Sequence, residues 1–119
     1  MRKITYKAAR AFIEGRNFSS GNTSVKVEQR TPEDSHPYAF DGSDVRLCLH
    51  DNLIAEYTNA RGLRITLAGW PTTTTRERLN GLLTELGKRE GVWQHKHEQH
   101  YGTHEDNRII SSSEWIPVT

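Results

Sequence analysis

The sequence predicts an α+β fold in which two helices pack on one face of a small antiparallel sheet, in the order α-β-β-β-β-α-β-β. Three observations lead to this prediction. Two segments have apolar residues at helical spacing. Six segments have either alternating apolar and polar residues or continuous apolar residues, as strands do. Short turns separate most of these strands. At 119 residues the chain is expected to form a single domain, with a loop excursion at about residues 30–43.

The first 68 residues are predicted to form one helix and four strands. A first helix is predicted at residues 4–14, because alanines lie along one side of it. It is expected to end at Gly15, a residue type that commonly stops helices. Residues 18–23 carry turn chemistry, and residues 25–28 then alternate like a half-buried strand. Two prolines and few large apolar residues predict the loop at 30–43. The next three strands are expected at residues 44–50, 53–57 and 63–68.

The second helix is predicted from its start signals. Trp70 precedes Pro71 and is therefore extended, which ends the strand before it. Thr74, followed three residues later by Glu77, forms a capping-box pattern, so that the helix is expected to begin near Thr75. An apolar stripe and a terminal glycine follow: Leu79, Leu82, Leu83, Leu86 and Gly87. The last two strands are expected at residues 92–101 and 108–111.

Composition argues against several classes of function. Sixteen basic and fifteen acidic side chains give a formal net charge of +1, so that no global attraction to nucleic acid or to an anionic membrane is expected. No apolar stretch approaches the length of a membrane span, and no signal-peptide pattern occurs. We therefore expect a cytosolic protein without a membrane partner. Cys48, as the single cysteine, excludes an internal disulfide.

A cluster of histidines forms a candidate metal site. On one strand, His95 and His97 would project from the same face with His100 nearby, and imidazoles in that arrangement bind zinc or nickel. However, His97 and His100 are one residue too close for the zinc-protease helix motif. The favoured alternative is an exposed hairpin whose polar face uses histidine. We expect no bound cofactor.

Basic residues on the two helices suggest a nucleic-acid interface. Lys3, Lys7 and Arg10 fall on one outer line of the first helix, although a solvated helix face is the commoner explanation of such a stripe. Arg76 and Arg78 are predicted in the first turn of the second helix, where the macrodipole disfavours cations. With the neighbouring threonine hydroxyls they could form a phosphate site. The alternative is that nearby acidic residues neutralise them.

Trp70 is a candidate anchor for a partner, because tryptophan is the residue type most enriched at interface hot spots. Small domains also use tryptophan to fill their cores, and we expect Trp70 to be buried. The sequence contains no glycine-rich phosphate loop, no nucleophile elbow and no nucleotide-binding fingerprint. No residue therefore qualifies as a nucleophile or general base, and we do not expect an enzyme.

Residues 69–80 read Gly-Trp-Pro-Thr-Thr-Thr-Thr-Arg-Glu-Arg-Leu-Asn, a GWxTxTTRERLN-type motif. Shorter matches accompany it: Phe18 with Gly21-Asn22-Thr23, Leu49-His50 with Asn52, Ile54-Ala55 and Ile65-Thr66. Together these residues resemble a family of small proteins encoded by tailed bacteriophages and prophages. The resemblance covers roughly the middle half of the chain. It implies a phage product that acts in the cytoplasm of an infected bacterium, and it carries no catalytic residue with it.

We therefore expect a non-catalytic phage accessory protein that binds a host macromolecule, in the first place a host protein, during takeover or counter-defence. Small size, the lack of a cofactor motif and a surface of mixed charge support this expectation. The first alternative is a nucleic-acid-binding module that uses the basic face. The second is a histidine-rich metal-binding protein or hydrolase. The oligomeric state stays open, and an exposed strand edge would be compatible with a homodimer.

Overall fold

A computed structural model of the chain describes residues 2–29 and 43–118. It confirms an α+β fold with two helices and antiparallel strands. The predicted loop at 30–43 lies outside the described residues except for Ser43, which begins a strand. The elements are α1 (Lys3–Glu14), β1 (Phe18–Ser20), β2 (Thr23–Gln29), β3 (Ser43–Leu49), β4 (Asn52–Thr58), β5 (Gly62–Ile65), α2 (Thr73–Glu85), β6 (Gly91–His95), β7 (Glu98–Gly102), β8 (Asn107–Ile110) and β9 (Ile116–Val118).

The strands of the described residues form two antiparallel sheets instead of the single sheet that was predicted. The larger sheet has six strands in the order β1-β2-β3-β4-β5-β9, and the smaller has three in the order β6-β7-β8. Residues 2–29 and 43–118 contain nine strands, against six predicted for the chain. Short edge strands at residues 18–20 and 116–118 account for two of the additional strands. The third arises because residues 92–101 fold into a hairpin.

That hairpin corrects the prediction of one long strand. Lys96 and His97 have φ angles of 51° and 67°, and the pairing of His95 with Glu98 closes a two-residue turn between β6 and β7. Two residues with positive φ are the requirement of a type I′ turn, whose backbone matches the twist of the strands it joins. The sequence lacked the Asn-Gly or Asp-Gly signal that normally announces such a turn.

The core lies between the two helices and one face of the larger sheet. Alternate residues of β3, Val45 and Leu47, point into it and are buried. Val92 of β6 and Ile110 of β8 belong to the same apolar cluster, so that the smaller sheet packs onto the same core. The helices contribute one apolar side each: Ala8, Ala9, Ala11 and Phe12 from α1, and Leu79, Leu82 and Leu83 from α2.

A row of charges crosses the opposite face of the larger sheet. Arg46, Glu56 and Arg64 are cross-strand neighbours on β3, β4 and β5. Glu56 is 7% exposed and accepts hydrogen bonds from Arg46 Nε at 3.1 Å and from Arg64 at 2.6 and 3.1 Å. Burial raises the pKa of Glu56, but its bonds and charge attraction to Arg64 and Arg46 outweigh burial, and the pKa is lowered. The Arg64 guanidinium also lies 4.1 Å from the ring centre of Trp115.

One side chain joins the smaller sheet to α2. Asn80 Oδ1 accepts from the Val92 amide at 2.7 Å, while Asn80 Nδ2 donates to the Val92 carbonyl at 2.8 Å. The amide group of Asn80 thus takes the place of a neighbouring strand along the edge of β6. Gly91 allows this approach, because a Cβ atom there would lie 3.2 Å from Asn80 Oδ1.

We expect Asn80→Ala to lower the free energy of unfolding by about 1–3 kcal/mol, because both backbone groups of Val92 lose their partner. Urea denaturation followed by tryptophan fluorescence measures this change. Thr84→Ala, at an exposed position on the same helix, is the control and is expected to stay within about 0.5 kcal/mol of wild type. Equal stability of the two variants would contradict the proposed link.

Glu56 is expected to make stability depend on pH. A carboxyl group whose pKa is lower in the folded state stabilises the fold above its unfolded-state pKa of about 4.3. That contribution disappears as the pH falls through the folded-state pKa. The difference in unfolding free energy between wild type and Glu56→Gln should therefore be roughly 1–3 kcal/mol at pH 7 and shrink toward pH 3. A difference that does not change between these two pH values would contradict the assignment.

Candidate functional site

The best-formed candidate site is a pocket at the amino-terminal end of α2, here called the Trp70 pocket. It has a volume of about 420 Å³. Its floor is apolar, because the side chains of Leu49, Ile54 and Leu67 are each at most 4% exposed. The residues that line the pocket are Leu49, His50, Asn52, Ile54, Leu67, Trp70, Thr72, Thr74 and Thr75.

Two tight turns build the walls of the Trp70 pocket. The first joins β3 to β4 at His50 and Asp51, whose φ angles are 52° and 64°, one residue earlier than the predicted turn. The second follows β5, where Ala68 and Gly69 have φ angles of 56° and 80° and the Trp70 amide donates to the Leu67 carbonyl at 2.9 Å. A residue with a Cβ atom, such as Ala68, pays on the order of 1 kcal/mol to adopt this conformation.

The second turn explains why Trp70 is 59% exposed, contrary to the expectation that it is buried. Leu67 still points into the core, but the turn over Ala68 and Gly69 reverses the chain before Trp70. Pro71 and the extended Thr72 then lead into α2, which begins at Thr73. The indole ring therefore stands at the pocket rim. An exposed aromatic ring of this size beside an apolar cavity is typical of a binding surface.

The start of α2 differs from the predicted capping box. The helix begins at Thr73, and Thr72 is its N-cap, with its hydroxyl accepting from the Thr75 amide at 3.2 Å. The hydroxyl groups of Thr72 and Thr75 are also 2.9 Å apart and bonded to each other. Glu77, the predicted partner of Thr74, is occupied elsewhere. Among the described residues, the side chain of Thr74 has no hydrogen-bond partner and is available at the rim.

The Trp70 pocket carries no fixed charge. In the part of the chain that the structure describes, no Lys, Arg, Asp or Glu lines it. Arg76, a predicted binding residue, turns away toward the smaller sheet. Its guanidinium donates to the Pro71 carbonyl at 2.9 Å, to Gln99 Oε1 at 3.0 Å and to Gln94 Oε1 at 3.3 Å. The Arg76 guanidinium is thus bonded outside the Trp70 pocket, although its helix turn was considered as a phosphate site with the neighbouring threonines.

Arg78, the other predicted cation of α2, is only 3% exposed. It donates to Thr23 Oγ1 at 3.0 Å, to Thr5 Oγ1 at 2.6 Å and to Glu77 Oε1 at 2.7 Å. Burial lowers the pKa of Arg78, and the charge of Glu77 opposes this effect. The hydrogen bond from Thr5 lowers the pKa of Glu77, which is therefore ionised at neutral pH. The four side chains form an internal network, and the Arg78 guanidinium is therefore not available to a ligand.

The predicted basic stripe on α1 is only partly open. Lys3 and Lys7 are exposed, and neither has an ion-pair partner among the described residues. Arg10 is half-buried and pairs with Glu14 at 3.3 Å, one turn further along the helix. The exposed part of the stripe therefore lies at the amino-terminal end of α1.

The histidines are divided between the two strands and the turn of the hairpin. His95 ends β6 and His97 lies in the turn, so the two do not share one face of a strand as predicted. His100, on β7, stacks on Trp93 with ring centres 5.7 Å apart. Within residues 2–29 and 43–118, no group of three or more His, Cys, Asp or Glu side chains has the arrangement of a metal site. Metal binding remains a prediction, and we do not propose it.

A family model described as Kyanoviridae Gp96 protein matches residues 1–117. The chain belongs to this family. The match confirms the expectation of a phage protein, and it extends over nearly the whole chain instead of the middle half. No curated protein and no solved structure matches this member of the Kyanoviridae Gp96 family. No helix in the described residues is long and apolar enough to cross a membrane.

Sequence reasoning found Trp70 but missed the rest of its pocket. His50, Asn52 and Thr74 are polar residues without a recognisable catalytic or ligand-binding spacing. They meet because both turns adopt positive φ angles, and of the four turn positions only Gly69 adopts such an angle without steric cost. The other pocket residues were missed because the β3–β4 turn and α2 are far apart in the sequence.

We expect Glu77→Ala to lower the free energy of unfolding by about 3–5 kcal/mol, since it leaves the Arg78 guanidinium buried without a counter-charge. Glu14→Ala is the matched control, because it removes an exposed carboxylate paired with Arg10 and Arg16. This control should change stability much less, because an exposed ion pair in water contributes little. Urea denaturation at pH 7 measures both values, and a loss of similar size in the two variants would contradict the buried network.

Proposed function

We propose that this phage protein acts by binding a host protein without catalysis, and that the partner docks at the Trp70 pocket. The observation that supports this proposal is the 59% exposed indole of Trp70 beside an apolar floor. Exposed tryptophan is costly in water and is the residue type that contributes most to interface hot spots. The phage origin of the family makes a host component the expected partner.

The chemistry of the Trp70 pocket favours an apolar side chain of the partner. Its volume of about 420 Å³ falls within the range of ligand pockets and accommodates a large side chain. Burying a Leu or Phe side chain there would contribute roughly 1.5–3 kcal/mol. His50, Asn52 and Thr74 at the rim have no side-chain hydrogen bonds to other described residues, so they are free to bond the backbone of the partner.

The same pocket is poorly suited to nucleic acid. Phosphate recognition relies on Lys and Arg, and none lines the pocket among the described residues. Arg76 and Arg78, which were expected to supply positive charge, are held by internal hydrogen bonds. A protein surface with an apolar anchor and a neutral polar rim therefore matches this site better than a phosphate backbone does.

The test is a quantitative pulldown from nuclease-treated lysate of the uninfected host, with tagged wild type and Trp70→Ala in parallel. We expect at least one host protein to be captured by wild type and depleted by the substitution. Titration calorimetry with that purified protein should then show affinity reduced about 30-fold, the loss expected for a hot-spot residue of about 2 kcal/mol.

Ile109→Ala is the matched control, because Ile109 is 58% exposed but lies on β8, in the smaller sheet. It should retain the captured protein. Urea denaturation of all three proteins verifies that Trp70→Ala is folded. The absence of any captured host protein from the nuclease-treated lysate, or capture that is indifferent to Trp70, would overturn the proposal.

A further inference from the structure

A second surface lies at the start of α1, where Arg2, Lys3, Tyr6 and Lys7 line a shallow cleft of about 420 Å³. We call it the Tyr6 cleft. The four residues are brought together by helical spacing, since Arg2 and Tyr6, and likewise Lys3 and Lys7, are one turn apart. Tyr6 is 49% exposed and lies between the cations. Sequence reasoning identified the lysines but not the tyrosine.

The positive charge of the Tyr6 cleft is weakly compensated. Within the described residues, the ion pair made by these cations is that of Arg2 with Glu77, whose Oε2 lies 3.7 Å from Arg2 Nε, beyond hydrogen-bond distance. The Arg2 side chain remains 66% exposed despite this contact. The first turn of α1 contains no acidic residue, and Arg2 at the N-cap makes no side-chain capping bond. Cations at this end of a helix oppose the macrodipole, and a bound anion would relieve that cost.

We propose that the Tyr6 cleft binds single-stranded nucleic acid, with one base stacked on the Tyr6 ring and the adjoining phosphates held by Lys3, Lys7 and Arg2. This function is separate from the proposed host-protein site and does not rest on it. Aromatic rings flanked by basic side chains are the general means of binding single strands, because every base offers a π-face and every nucleotide a phosphate.

The geometry favours a single strand over the other polyanions. A paired base is already stacked within its duplex and cannot cover Tyr6. Lys3 and Lys7 are about 6 Å apart along the helix axis, so both can reach the backbone next to one stacked base. Basic sites for anionic lipid usually carry clusters of four to eight cations, whereas three line this cleft. An acidic peptide would satisfy the cations but has no group that requires the tyrosine face.

Fluorescence anisotropy with labelled dT12 and rU12 oligonucleotides tests the proposal. Three phosphate contacts predict a slope of log K against log salt of about −2, which is an affinity loss of about 20-fold between 50 and 200 mM salt. Lys3→Ala and Lys7→Ala should each reduce the magnitude of this slope by about 0.7. Tyr6→Ala should weaken binding by about 5- to 150-fold, while Tyr6→Phe should retain it.

Arg61→Ala is the matched control, since it removes one exposed positive charge in the turn between β4 and β5 and should leave binding unchanged. Trp70→Ala should also leave it unchanged, which separates this site from the host-protein site. Thermal melting followed by circular dichroism verifies that each variant is folded.

Results of three kinds would overturn the proposal. The first is the absence of oligonucleotide binding at 50 mM salt. The second is binding that responds equally to Tyr6→Ala and Arg61→Ala, or that is as tight for duplex as for single strands. The third is sedimentation with phosphatidylserine vesicles that depends on these residues, in a protein that does not bind the oligonucleotides.

Discussion

A single buried guanidinium holds the helical layer against the larger sheet. Arg78 of α2 donates to Thr5 of α1 and to Thr23 of β2, and it is neutralised by Glu77. Removing a charge from water costs several kcal/mol unless its partners are well placed, so this contact fixes the relative position of three elements. Both candidate surfaces depend on that position. The amino-terminal end of α2 forms a wall of the Trp70 pocket, and α1 presents the Tyr6 cleft on its outer side.

The parts of the fold that follow from local rules were predictable. The apolar sides of both helices and the glycine stop at Gly15 are read directly from residue spacing, and the structure confirms them. The hairpin at Lys96 and His97 was not predictable, because its positive φ angles occur at residues that rarely adopt them. The short strands β1 and β9 were missed for another reason. Three residues are too few to show a period, and only the pairing partner makes them strands.

The candidate sites could also be predicted only in part from the sequence. Residue type made Trp70 a candidate anchor, although it was expected to be buried, and helical spacing drew attention to the lysines of α1. Whether Arg78 is exposed could not be read from the sequence, since only the approach of α1 and β2 buries it. In the same way, Tyr6 becomes a candidate binding residue only because cations surround it in the fold. The apolar floor of the Trp70 pocket likewise exists only because two turns that are distant in sequence meet.

The two outer strands of the larger sheet have a consequence for association. Both β1 and β9 are three residues long, and Pro117 lies in the middle of β9, where it offers no amide hydrogen for a further strand. Open sheet edges are templates for uncontrolled polymerisation, and short strands with proline are a common protection against it. The short outer strands therefore give other chains little backbone to pair with. This protection matters for a protein that exposes a tryptophan on its surface, because sheet-edge pairing would otherwise add a second route to aggregation.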